Sequence, residues 1–205
     1  FKKPQIGVAL LFVLTYRLGE SQLVKMASPF LLDDLGVGGL AYSTEAVGTI
    51  YGTVGVIMLS LGGILGGILI SRDGLKKWML PMLLSLNLPN ALYAILAITQ
   101  TTSLYAVVGT VVIEQFGYGF GFAAFMMYLI YVAEGASKTS HYAIATGFMA
   151  LGMMLPGMLS GYIQEWLGYD GFFIWVVIAA LPAFFVLRYL KYPEDYGKKT
   201  AETND

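Results

Sequence analysis

The stretch Gly67-Ile68-Leu69-Ile70-Ser71-Arg72-Asp73-Gly74-Leu75-Lys76-Lys77 gathers Arg72, Asp73, Lys76 and Lys77 into one short polar joint between two long apolar runs, 45–70 and 78–99. Each run exceeds the roughly 20 residues that an α-helix needs to cross a hydrocarbon core about 30 Å thick. The joint therefore reads as a turn between two membrane-spanning helices. Working outward, runs of the same kind occupy 5–32, 104–133, 141–164 and 171–190, and the remaining joints fall at 33–44, 100–103, 134–140 and 165–170. None of the runs alternates polar and apolar residues as barrel strands do, and backbone groups in lipid must be paired within a segment. The expected fold is an all-α integral membrane bundle of six transmembrane helices.

Composition agrees. Of 205 residues, 57% are hydrophobic and 12% charged, about half the roughly 25% charge of a soluble domain. The 25 Gly suit close approach of membrane helices, and the 14% aromatic share suits side chains at the lipid headgroups. With no Cys and one His, disulfides, thiolate catalysis and His or Cys metal clusters are excluded. A net charge of −1 offers no basic surface for nucleic acid. There is no H-E-x-x-H, no G-x-S-x-G elbow and no paired aspartates within a span, so an enzyme is not expected, nor is a metal or organic cofactor.

The 12 Lys and Arg orient the bundle. If the helices alternate, Lys2, Lys3, Arg72, Lys76, Lys77, Lys138, Arg188, Lys191, Lys198 and Lys199 share one side. The joints on the other side carry Asp33, Asp34, Glu165 and Asp170, with Glu45 at the start of its span. Both ends are expected in the cytoplasm. Residues 193–205, rich in charge, read as a disordered tail. The first run is too long and too charged for a signal peptide. Because the chain begins at Phe1, with a helix following at once, a fragment of a longer protein is expected.

Ionisable residues within spans are costly and tend to face a bundle interior or a wet cavity. At about 100° per residue, Arg17, Glu20, Ser21, Lys25 and Ser28 fall within an arc of roughly 140° on the first span. Arg17 and Glu20, three apart, can pair directly. On the fourth span Glu114, Tyr118, Gly121, Phe125 and Tyr128 fall within about 80°. Arg17, Glu20, Lys25, Glu114, Tyr118 and Tyr128 are the candidate pathway residues for substrate or proton. Asn87 and Asn90 flank Pro89, which reads as a kink. Gly62, Gly63, Gly66 and Gly67, with Gly157 and Gly161, have the spacing of close helix contacts. Trp78, Trp166 and Trp175 read as interface anchors, and His141 as an interfacial residue.

An offset of 94 residues lays Leu61, Gly63, Leu65, Gly67 and Gly74 on Leu155, Gly157, Leu159, Gly161 and Gly168. A repeat offset by three helices is inverted in the membrane, a 3+3 inverted repeat of the kind found in each half of major facilitator transporters. The joint at 67–77 resembles that superfamily's loop motif G-x-L-a-D-R-x-G-R-K-K, with Ser71 in place of the acidic residue. By this resemblance Gly67, Arg72, Asp73, Gly74, Lys76 and Lys77 form a cytoplasmic gate, the glycines making the turn and the cations binding helix C-terminal carbonyls. Tyr16-Arg17-Leu18-Gly19-Glu20 with Pro29-Phe30-Leu31-Leu32 resembles the Y-K-L-G-D and P-F-L signature of AmpG-type muropeptide permeases and their acetyl-CoA transporter relatives. Ser43-Thr44-Glu45-Ala46-Val47-Gly48, Ala145-Thr146 with Phe148-Met149-Ala150-Leu151, and Gly161-Tyr162 continue the likeness. Gly147 stands where that family has Gln, and Lys25 adds a charge.

The resemblance implies the C-terminal half of a 12-helix bundle, residues 1–192, whose partner is an N-terminal six-helix half. It implies proton-driven import of anhydro-muropeptides across a bacterial inner membrane, the proton being the coupling ion. A sugar or oligosaccharide symporter on the same scaffold is the alternative, and a non-transporting membrane sensor a third reading.

Overall fold

A computed structural model describes residues 5–135 and 137–199. Lys2, Lys3 and the last six residues of the expected tail lie outside the described residues. Among the described residues there are helices and no strands: α1 (Ile6–Thr15), α2 (Leu18–Leu32), α3 (Thr44–Thr49), α4 (Val56–Asp73), α5 (Leu75–Asn87), α6 (Asn90–Thr99), α7 (Leu104–Ala133), α8 (Lys138–Ala179) and α9 (Leu181–Leu187). A six-residue π-helical turn, Ile50–Gly55, joins α3 to α4 without a break.

Among the described residues four helical stretches are long and apolar enough to cross a membrane: Thr44–Asp73, Leu75–Thr99, Leu104–Ala133 and Lys138–Leu187. The protein is a multi-pass membrane protein. Six such stretches were expected, and the difference has two physical causes. The run 5–32 is divided at Tyr16–Arg17, where Arg17 takes φ −113° and ψ 20°, and its two parts are 10 and 15 residues long. The last stretch is 50 residues long, more than twice what one crossing requires. Its backbone leaves the helix at Gly168, with φ 70° and ψ 175°. That glycine lies within the expected joint at 165–170.

Close approach organises the packing. α7 lies against both α4 and α5, while α2 and α6 lie against α8. A Cβ on Gly62 would strike the Phe116 carbonyl oxygen, and one on Gly119 would strike the Leu59 carbonyl oxygen, so these glycines let α4 and α7 touch backbone to backbone. Gly66 packs on Ala123. The expected contacts at Gly67 and Gly161 are not made, since nothing lies within 4 Å of a Cβ at either position. Pro89 divides α5 from α6 and, lacking an N–H, frees the Ser85 carbonyl four residues earlier. Gly117 of α7 lies directly against that oxygen.

The buried apolar residues form two separate cores. One holds Phe12, Tyr16, Met82, Leu86, Phe125 and Tyr128. The other holds Leu23, Phe30, Tyr93, Val111, Phe172 and Phe173. On three of the elements the switch from one core to the other falls on polar residues: Arg17 to Gln22 on the first run, Asn87 and Asn90 at the α5–α6 break, and Glu114 to Tyr118 on α7. The bundle therefore carries a buried polar layer at mid-depth.

Residues 193–199, the described part of the expected disordered tail, instead fold onto the joint at 71–77. The Leu75 amide donates to the Tyr196 carbonyl (2.8 Å) and the Lys199 amide to the Ser71 carbonyl (2.8 Å). Lys76 Nζ lies 2.7 Å from Glu194 Oε1, and Tyr196 Oη donates to Glu134 Oε1 (2.9 Å). Backbone pairing and ring contact between Tyr131 and Tyr196 overcome the tail's polar composition.

Candidate functional site

The site is built where helical regularity fails. Arg17 caps α2 at the Tyr16–Arg17 break, its carbonyl accepting from the Ser21 amide (2.8 Å), and Glu20 follows one turn on. Among the described residues no ion pair joins them. The guanidinium points instead toward α7 and α8: Nη2 donates to Tyr118 Oη (2.6 Å) and Nη1 to Met153 Sδ (2.8 Å). Its carbon stands 4.8 Å from the Tyr118 ring centroid and 5.2 Å from that of Phe122, within cation–π range. Arg17 is 4% exposed and its Nε has no hydrogen-bond partner.

Glu20 is fully buried, and neither carboxyl oxygen has a hydrogen-bond partner. It lies close enough to Glu114 and Arg17 for their charges to act on it. Glu114, also buried, is held by two side chains. Gln115 Nε2 donates to both of its oxygens (3.0 Å each), and Tyr93 Oη donates to Oε2 (3.4 Å). Tyr93 is in turn hydrogen-bonded to Tyr51. Asn90 is fully buried with its amide unpartnered. Asn87 donates to the Leu83 carbonyl (2.9 Å) and leaves its own oxygen unpartnered.

Of the six expected pathway residues, the fold gathers Arg17, Glu20, Glu114 and Tyr118 into the polar layer. It separates the other two. Tyr128 lies nearly three turns further along α7, against Phe12 and Tyr192 at ring separations of 5.2 and 5.7 Å, and belongs to an apolar core. Lys25 is exposed beside Ser21, Met153, Met154 and Met158 in an open groove, its stem against Gly157. The apolar composition of that wall suits the methylenes while the ammonium stays free.

At the loop motif, the cations bind carboxylates and not helix-end carbonyls. Asp73 Oδ2 is the hub, receiving Arg72 Nη2 (2.9 Å), Lys77 Nζ (3.2 Å) and Trp78 Nε1 (3.0 Å). Gly74, at φ 89°, makes the turn. Gly67 is regular helix within α4 and takes no part in it. Trp175 is not a free interface anchor either, since its Nε1 donates to Gln22 Oε1 (2.9 Å), whereas Trp166 is exposed.

Tyr51, Tyr93, Gln115 and Met153 escaped sequence reading because isolated Tyr, Gln and Met in apolar helices carry no charge signal. Asn87 and Asn90 were visible, but as a kink. Among the described residues no group of three or more His, Asp or Glu could hold a metal ion.

The sequence matches the family described as Major Facilitator Superfamily over residues 9–205. It is 28% identical over 190 residues, 93% of this chain, to the "Putative transporter AmpG 4" of Rickettsia conorii, covering 44% of that protein. It is 26% identical over 198 residues, 97% of this chain, to the anhydromuropeptide permease of Escherichia coli, covering 39% of it. The chain thus spans less than half the length of these relatives.

Proposed function

Because the chain belongs to the Major Facilitator Superfamily, we propose that it is one half of a proton-coupled secondary transporter that imports anhydro-muropeptides, or related amino-sugar peptides, across a bacterial inner membrane. In this reading its helices make six crossings with both ends in the cytoplasm, and a further six-helix half completes the transporter. The division of the 50-residue stretch at Gly168 supports six crossings. Gly74 and Gly168, equivalent under the 94-residue offset, share an unusual backbone (φ 89°, ψ 156° and φ 70°, ψ 175°), which supports the 3+3 repeat.

One observation carries the functional reading. Among the described residues, a buried guanidinium without a carboxylate partner stands one turn from a buried carboxyl without any hydrogen-bond partner. Uncompensated buried charge is expensive, several kcal/mol per ion. A ligand carboxylate on Arg17 would satisfy the cation, while a proton on Glu20 would discharge the acid. Transport then couples the two: Glu20 alternates between a proton and the Arg17 guanidinium as the substrate leaves and arrives. Tyr118 and Phe122 hold Arg17 ready and offer ring faces to a sugar.

The test is uptake of labelled anhydro-muropeptide by vesicles holding the full-length protein, with and without a proton gradient. Gradient-driven accumulation is expected, and Glu20→Gln is expected to abolish it while counterflow exchange persists. Loss of both activities in a normally expressed variant would remove the proton role from Glu20. No uptake, with proton flux on adding disaccharides, would keep the scaffold and replace the substrate.

A further inference from the structure

The polar layer contains a feature that substrate binding does not use. The π-turn Ile50–Gly55 interrupts an otherwise regular 30-residue span, Thr44–Asp73. Such turns are rare, and each added residue rotates the side chains that follow. Here the turn does two things to one carboxyl. It carries Tyr51, half-buried, onto the fully buried Tyr93 hydroxyl, which donates to Glu114 Oε2. It also presents Gly55 to α7, where a Cβ would come within 3.3 Å of Gln115 Cγ. The absence of that Cβ leaves Gln115 room to bind both Glu114 oxygens.

We propose that the π-turn makes Glu114 a loading site for protons, with the Tyr51 and Tyr93 hydroxyls forming a two-step proton path to it. The path starts on the side of the bundle that carries Asp33, Asp34 and Glu45. Tyr51 takes a proton from a hydronium ion arriving from that side, leaving water, and passes its own to Tyr93. Tyr93 passes its own to the Glu114 carboxylate. One proton crosses, and both phenols end neutral. Gln115 positions the carboxylate for the transfer. The other ionisable groups turned toward this carboxyl are Glu20 on α2, whose own neighbour is Arg17, and Tyr118 one turn along α7. Glu20 is the onward acceptor, which deepens the proton-coupled reading above and rests on it for its role in transport.

The experiment follows protonation directly and needs no substrate. Time-resolved infrared spectroscopy after a pH jump, on the full-length protein in detergent, records the carboxyl band that Glu114→Gln removes. Tyr51→Phe and Tyr93→Phe are each expected to slow the appearance of that band about tenfold or more without changing its final height. Unchanged rates in both overturn the path, as does the absence of any band that depends on Glu114. Slowing by Tyr93→Phe alone also overturns it, because a residue that merely packs on Glu114 needs no Tyr51. Should Tyr93→Phe fail to fold, Tyr51→Phe decides the matter by itself. Failure of the transport reading is distinguishable: slowed loading in the tyrosine variants, with gradient-driven uptake intact in Glu114→Gln, keeps the path and removes Glu114 from coupling.

Discussion

Arg17 is the residue on which the candidate site turns, and its environment sets what replacements can do. Two hydrogen bonds and two ring faces hold a planar, delocalised cation. A lysine keeps the charge but not the fork or the stacking. Arg17→Lys is therefore expected to weaken substrate binding about tenfold or more, about 1.4 kcal/mol, as read by substrate-dependent tryptophan fluorescence or equilibrium dialysis. Tyr118→Phe, which removes one acceptor and keeps the ring, should produce a smaller loss. Equal affinity of Arg17→Lys and the parent would detach Arg17 from the substrate. At this scale the sequence was informative about charge and silent about partnership. Arg17, Glu20 and Glu114 stood out because ionisable groups are rare in lipid. Here the Arg17 guanidinium is taken up by Tyr118 and Met153 on α7 and α8 rather than by Glu20, and spacing along one helix does not reveal partners on others.

Among the elements, glycine placement yields a sharp contrast between neighbours. Gly62 and Gly67 lie on the same helix, yet a methyl group at Gly62 meets the backbone of α7 while one at Gly67 meets nothing. Gly62→Ala should lower stability by about 1–3 kcal/mol through overpacking. Gly67→Ala should raise it by about 0.5–1 kcal/mol through backbone entropy. Thermal unfolding in detergent reads both, and a Gly62→Ala protein as stable as its parent would contradict the α4–α7 packing. The folded tail makes a second element-level prediction. Lys76 holds the Glu194 carboxyl below its usual range by hydrogen bond and charge. A depressed carboxyl contributes fully above its unfolded value of about 4.3 and less as pH falls through the folded value. Because the pair is exposed, salt screens it as well. Tryptic cleavage at Lys198 or Lys199 should therefore speed up in Glu194→Gln and at high salt, and a cleavage rate indifferent to both would show that backbone pairing alone holds the tail.

Across the whole molecule, the division into two apolar cores with a polar layer between them is the property that the proposed function would draw on. In the proposed cycle the layer of Arg17, Glu20, Asn87, Asn90 and Glu114 rearranges while the two apolar cores on either side keep their packing. With alternating access, single cysteines introduced at Ser21 and Ser160 should change their labelling by a membrane-impermeant maleimide when substrate is added to the full-length protein. Constant labelling would argue for a static structural layer. The sequence by itself determined that the chain is a helical membrane protein, where most of its helices start and stop, and which side chains are too costly to be in lipid without purpose. Those conclusions follow from hydrophobic length and charge, which are local properties of a chain. Only the tertiary structure decided that Arg17 meets Tyr118 across 101 positions, that Tyr128 packs on Phe12 and Tyr192 rather than beside Arg17, and that residues 193–199 fold onto the joint after α4. Contacts between distant segments depend on where a helix breaks and on how closely two backbones approach. The breaks at Pro89 and Gly168 were legible in the sequence, whereas the one at Arg17 depends on a single pair of dihedral angles, for which hydropathy holds no signal.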